Sequence, residues 1–156
     1  MIFFAGALSS HAQARCNVNK AYAYFTVTMP GTQMVDEKGN PVPPVPYTDR
    51  FIFLECTGTK KPVIQAVRYT SMNLAVAAIK PEANKIIVGK KYQNEKEIIL
   101  TAKKGNTLWR LDIQPTDDKM PDANASSNII IQISSGGRTC SYKIGSEIQL
   151  YTTPSY

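Results

Sequence analysis

Residues 129–144 read Ile129-Ile130-Ile131-Gln132-Ile133-Ser134-Ser135-Gly136-Gly137-Arg138-Thr139-Cys140-Ser141-Tyr142-Lys143-Ile144. Ile129, Ile131 and Ile133 recur at every second position on the first arm, and Cys140, Tyr142 and Ile144 do so on the return. A period of two is the signature of a strand with one buried face. Between the arms, Ser134 to Gly137 supplies residues that accept a positive φ, so the stretch predicts a β-hairpin.

The same reading extends outward. Glu97–Lys103 and Thr107–Gln114, joined through Lys104-Gly105-Asn106, predict a second hairpin. Ile98, Leu100 and Ala102 face one way on its first arm, and Trp109, Leu111 and Ile113 on its second. Arg110 and Asp112 take the opposite face, so Trp109 reads as a core ring rather than an exposed stacking platform. Phe51–Cys56 is apolar on both faces, as in a central strand covered on both sides. It leads through a Thr-Gly-Thr-Lys-Lys-Pro turn into Val63–Tyr69, which predicts a further hairpin. Ala21–Met29 alternates, with Ala23, Phe25, Val27 and Met29 on one face and Tyr22, Tyr24, Thr26 and Thr28 on the other. Leu74–Ile79 fits either a helix or a strand; its strand neighbours favour a strand, which Pro81 is expected to stop. Glu147–Thr152 is a last strand. About nine strands and no long helix predict an all-β, Ig-like β-sandwich, with a small β-barrel as the alternative.

Composition sets the outer limits. The chain has 156 residues, 18 Lys+Arg against 12 Asp+Glu, and a formal net charge of +6. With 43% hydrophobic and 19% charged residues it is one globular domain's worth of sequence, which excludes wholesale disorder and collagen-like repeats. Ile2–Leu8 is a short apolar run followed by Ala12-Gln13-Ala14, a small-x-small cleavage pattern. Residues 1–14 therefore read as a signal peptide, truncated or mis-started because the basic leader is missing, and 15–156 as a single domain. The apolar run is too short to span a bilayer, and no later segment approaches the roughly 20 apolar residues a helix needs. The expected location is outside the cytosol: periplasm, cell surface or medium. The one histidine, His11, falls within the removed segment. Its loss excludes Ser-His-Asp and Cys-His catalysis and the commonest transition-metal ligand.

In an oxidising compartment three cysteines imply one disulfide and one thiol left over. Cys56 and Cys140, both on apolar faces of predicted strands, form the preferred pair, with Cys16 bonded to either of them as the alternative. Lysine pairs recur at predicted turns: Lys60-Lys61, Lys90-Lys91 and Lys103-Lys104. Gathered at one end they would meet an anionic polymer; scattered, they would protect sheet edges. Tyr22 and Tyr24, sharing a face with threonines, are either an exposed platform or part of a second covered face. Pro41–Pro46, with Pro43 and Pro44 at its centre, should be extended polyproline II, serving as a docking segment or as a stiff connector. Just upstream, Val35-Asp36-Glu37-Lys38-Gly39-Asn40-Pro41-Val42-Pro43 resembles the first hairpin tip of carboxypeptidase-regulatory-like domains, small Ig-like sandwiches at the N-termini of outer-membrane nutrient receptors. The likeness covers nine residues, lacks that family's second glycine-rich turn, and implies a β-sandwich. Asp117, Asp118 and Asp122 with Asn124 and Asn128 gather oxygen ligands but lack the glycine and terminal glutamate of an EF-hand, so they read as a solvated loop.

These readings define the expected function: an exported, non-catalytic envelope protein that binds another protein or an anionic surface polymer, with no metal, no cofactor and no nucleic-acid partner. Two alternatives belong to other classes. One is an Asp/Glu-dependent polysaccharide-acting enzyme, which requires two carboxylates roughly 5–10 Å apart across a concave face. The other is a structural subunit that adds a strand to a partner.

Overall fold

The computed structural model describes residues 16–28, 31, 34–43, 47–70, 72–114 and 128–152. The signal segment, Pro44 and the 115–127 loop with its aspartates lie outside these residues. The fold is all-β: β1 (Val18–Thr28), β2 (Met34–Val35), β3 (Pro41–Val42), β4 (Tyr47–Thr57), β5 (Val63–Tyr69), β6 (Met72–Leu74), β7 (Val76–Glu82), β8 (Lys85–Lys90), β9 (Glu97–Thr101), β10 (Asn106–Ile113), β11 (Ile129–Ser135), β12 (Arg138–Ile144) and β13 (Glu147–Leu150). A five-stranded sheet runs β13-β1-β4-β10-β7 and a four-stranded sheet runs β12-β11-β5-β6. Neither closes on itself, so the barrel alternative is set aside in favour of a sandwich architecture.

β4 occupies the middle of the larger sheet, as its two apolar faces require. Ile52, Leu54 and Cys56 point into the core between the two sheets, where they meet Trp109 and Leu111 of β10, Val67 and Tyr69 of β5, and Ile129, Ile131 and Ile133 of β11. Phe51 and Phe53 point the other way into a second cluster with Tyr24, Leu108, Leu100 and Leu150. That second face is covered by the β8–β9 hairpin, whose Ile86, Val88, Ile98 and Leu100 pack onto it. The molecule is therefore three layers deep there.

This third layer corrects two expectations. Tyr24 is no exposed platform: it is 1% accessible, and burial followed by the neighbouring Tyr22 pushes its phenol up to about 12. Tyr22 is half-buried in the same cluster. The expected 97–114 hairpin does not form a ladder either. β9 pairs with β8, while β10 pairs with β4 and β7, because Leu100 and Trp109 face different cores and the chain must change layers between them. The 51–69 hairpin fails for a related reason, as β4 and β5 belong to opposite sheets.

Other expectations hold. β11 and β12 pair in register from Ile129↔Ile144 to Ser135↔Arg138, and the two turn residues, Gly136 and Gly137, have φ of 56° and 78°. Both positive angles suit a two-residue hairpin turn whose twist matches its strands. Residues 72–82 are extended, split between β6 and β7. Pro81 does not end β7, because β7 is an edge strand and its missing N–H breaks no ladder bond there. The Val35–Pro43 stretch forms the isolated β2–β3 hairpin. Its turn is held by the Asp36 carboxylate, which accepts from the N–H groups of Asn40 (2.8 Å) and Lys38 (2.9 Å).

Among the described residues one ion pair is wholly buried. Arg50 of β4 donates to Glu147 of β13 with its guanidinium between the rings of Phe25 (5.2 Å) and Tyr69 (5.5 Å). It ties the short parallel strand β13 to the centre of the sheet and to β5. Buried pairs of this kind are costly to break, since removing one partner strands the other charge.

Candidate functional site

The strand register places two of the three lysine pairs together. Lys60-Lys61 leaves the end of β4 and Lys103-Lys104 precedes β10, and Thr57 pairs with Asn106 across that ladder. The two turns are bonded to each other: Gly58 N–H donates to the Gly105 carbonyl (2.9 Å), and Thr107 Oγ1 donates to the Gly58 carbonyl (2.6 Å).

A buried carboxylate organises this end. Glu55, 2% accessible, accepts from Lys103 N–H (2.8 Å) and from Asn106 Nδ2 (2.9 Å) through the same oxygen, Oε1. Burial, the largest single influence, pushes its pKa up. The bonds from Asn106 and Lys103, with the charges of Lys20 and Lys103, outweigh burial and leave the carboxyl below its ordinary range. Glu55 was not singled out from sequence. A lone carboxylate inside the apolar run Phe51–Cys56 was the available signal.

The β11–β12 turn reaches the same end, with Ser134 opposite Val63. Between it and the β4–β5 turn lies a cleft of about 160 Å³. Asn17, Thr57, Lys60, Lys61, Ser134 and Ser135 provide its polar lining, and Cys16, Cys56 and Ile133 are among its apolar residues. No carboxylate is among its described lining residues.

The disulfide beside this cleft corrects the expected pairing. Cys16, not Cys56, is bonded to Cys140, with their Cα atoms 5.7 Å apart. Cys140 lies on β12, the edge strand of the smaller sheet that packs against β1, whereas β4 sits one strand further in. Positive φ at Cys16 (46°) and Asn17 (65°) turns the chain ahead of β1, and the Cys16 side chain packs against the core. Cys56 is a buried free thiol, pushed up to about 11 by burial and then by the charge of Glu55. It is thus poorly placed to supply a thiolate nucleophile at neutral pH.

The third pair, Lys90-Lys91, sits elsewhere. Lys91 bridges to Leu150, which aligns with Thr26, eight residues along β1 from Val18 and roughly 26 Å away at the strand rise. Its neighbours are the exposed Tyr92 and Tyr151. Pro43 is exposed beside the separate β2–β3 hairpin. The candidate residues therefore do not form one patch.

A second cleft, of about 470 Å³, opens on the outer face of the larger sheet, with Thr26, Asp49, Phe51, Arg110 and Asp112 among its lining residues. Asp112 accepts from Arg110 Nε (2.7 Å) and lies 3.9 Å from Lys80 Nζ, while Arg110 stacks on Phe51 at 4.3 Å. General-acid catalysis favours a desolvated carboxyl, and Asp112 is instead partly exposed and engaged by two cations. Among the described residues no cluster of three or more side chains is arranged to hold a metal, and no helix is long and apolar enough to cross a membrane.

No protein-family model matches the chain, and neither curated proteins nor solved structures yield a match. The likeness of Val35–Pro43 to carboxypeptidase-regulatory-like hairpins is thus a likeness of one turn.

Proposed function

We propose that this is an exported, non-catalytic envelope protein that binds an anionic surface polymer through the end bearing Lys60, Lys61, Lys103 and Lys104. The observation that carries this reading is the bonding of the two lysine turns to one another beside a cleft whose described lining holds no carboxylate. Glu55 sets one negative charge against the four lysines of the two turns, so this end keeps a net positive balance. The Cys16–Cys140 bond supports an oxidising location.

The test is binding of folded protein to polygalacturonate at low and high salt. Charge-driven binding should weaken at least about tenfold between 50 and 500 mM salt, as exposed charges become screened. The K60E/K61E/K103E/K104E variant should lose binding, while K90E/K91E should bind within about twofold of the parent chain. Absence of binding at low salt, or an equal loss in both variants, would reject the reading.

A further inference from the structure

We infer that the cleft between the β4–β5 turn and the β11–β12 hairpin is a subsite for one tetrahedral oxyanion ester, phosphate or sulfate, carried on a glycan. The inference rests on the reading of this end as a polymer-binding site and narrows it to a chemical group.

Size is the first argument. At about 160 Å³ the cleft lies below the roughly 300 Å³ at which pockets for whole small molecules begin. It suits a charged substituent on a chain that passes across its open mouth. Donor chemistry is the second. Among the lining residues Lys60 and Lys61 carry ammonium groups, Asn17 an amide, and Ser135, on the same face of β11 as Ile131 and Ile133, a hydroxyl, while Ser134 alternates to the opposite face. A carboxylate offers two oxygens to such a set; a phosphate or sulfate ester offers three outward oxygens and, for phosphate, close to two charges.

The cleft is also preorganised. The Ser134–Ser135 wall belongs to a hairpin closed by a tight glycine turn. The Cys16–Cys140 bond joins that hairpin's return strand to the segment carrying Asn17. The lysine wall leaves the central strand β4, and Thr57 N–H donates to the Asn17 carbonyl (2.8 Å), joining the two sides. A cleft set between rigid elements need not spend binding energy on ordering them.

The test uses backbone-amide NMR titration of the oxidised chain with glucose 6-phosphate, glucose 6-sulfate, galacturonate and glucose. Shifts at Asn17, Thr57 and Ser134–Gly136 should saturate with one or both esters, at least about fivefold tighter than with galacturonate, the gain expected from added charge-assisted bonds. Glucose should produce none. The tighter of the two esters identifies the group. S134A/S135A, which keeps every charge, should weaken ester binding at least about threefold, the cost of losing ordinary hydroxyl donors. Galacturonate binding as tightly as the esters, or shifts confined to other residues, would overturn the inference. Preference for vesicles containing phosphatidic acid over a phosphorylated mannan would overturn its glycan source. If polygalacturonate binding survives and ester shifts are absent, only the subsite fails. If both are absent, the polymer reading fails with it.

Discussion

The two lysine-bearing ends of the molecule contain the same dipeptide in different settings. At the disulfide end, Lys60-Lys61 and Lys103-Lys104 sit on turns bonded to one another, anchored by buried Glu55 and flanked by a cleft. At the other end, Lys90-Lys91 opens a turn that contains Glu95 and leads to Glu97, the β9 residue paired with Lys90, next to exposed Tyr92 and Tyr151. Dipeptides that look alike in sequence thus differ in what holds them and in which charges oppose them. Only the first setting places a lysine pair, Lys60-Lys61, in a cleft with no carboxylate among its described lining residues.

The comparison breaks most completely if the disulfide end loses its staple. Replacing Cys16 and Cys140 by serine should destabilise the fold by about 5 kcal/mol on the chain-entropy account, lowering the denaturation midpoint. Cys56→Ala should cost only ~1 kcal/mol, as expected for a small buried group. Equal losses in the two variants would mean the bond is not where the structure places it.

Glu55→Ala should cost ~2–3 kcal/mol, because two donors lose an ionised acceptor, and should also loosen the Lys103 turn. The pH response follows from the direction of the shift. A carboxyl held below its ordinary value of 4.5 stabilises the fold fully above that value. The contribution is lost as pH falls through the lower folded pKa. The variant's stability should therefore fall less between pH 5 and about pH 2 in chemical denaturation. An acid limb as steep as that of the parent chain would show that Glu55 does not organise this end.

A smaller effect is expected at Gly137→Ala. An added Cβ meets nothing within 4 Å, so the cost, ~1 kcal/mol, comes from the positive φ of 78°. Unfolding should register that loss, and any further fall in ester affinity would show how far the hairpin shapes the cleft. The smallest change belongs to K90Q/K91Q: thermal unfolding should move by less than ~0.5 kcal/mol, as for exposed charges away from special features.

Much of the fold was legible because side-chain alternation is local. The 129–144 hairpin, the doubly buried Phe51–Cys56 strand and the inward Trp109 were all read from spacing and are all present. The third layer was half-legible: Ile98, Leu100 and Ala102 were assigned one face, but nothing local said that this face would cover Tyr24. Lys60-Lys61 and Lys103-Lys104 were recognised as turn residues, and their meeting was left open. Their junction depends on the β4–β10 ladder, which joins segments about fifty residues apart.

Sequence by itself determined the all-β class, the glycine turn after Ser135, the burial of β4 on both faces and the excess of positive charge. The tertiary structure decided which cysteine bonds to Cys140, what covers each face, and which lysines share an end. Periodicity records that a face is apolar. The strand laid against that face is chosen by backbone pairing and core packing across the whole chain, so strand order, and with it the site, exists only in the folded molecule.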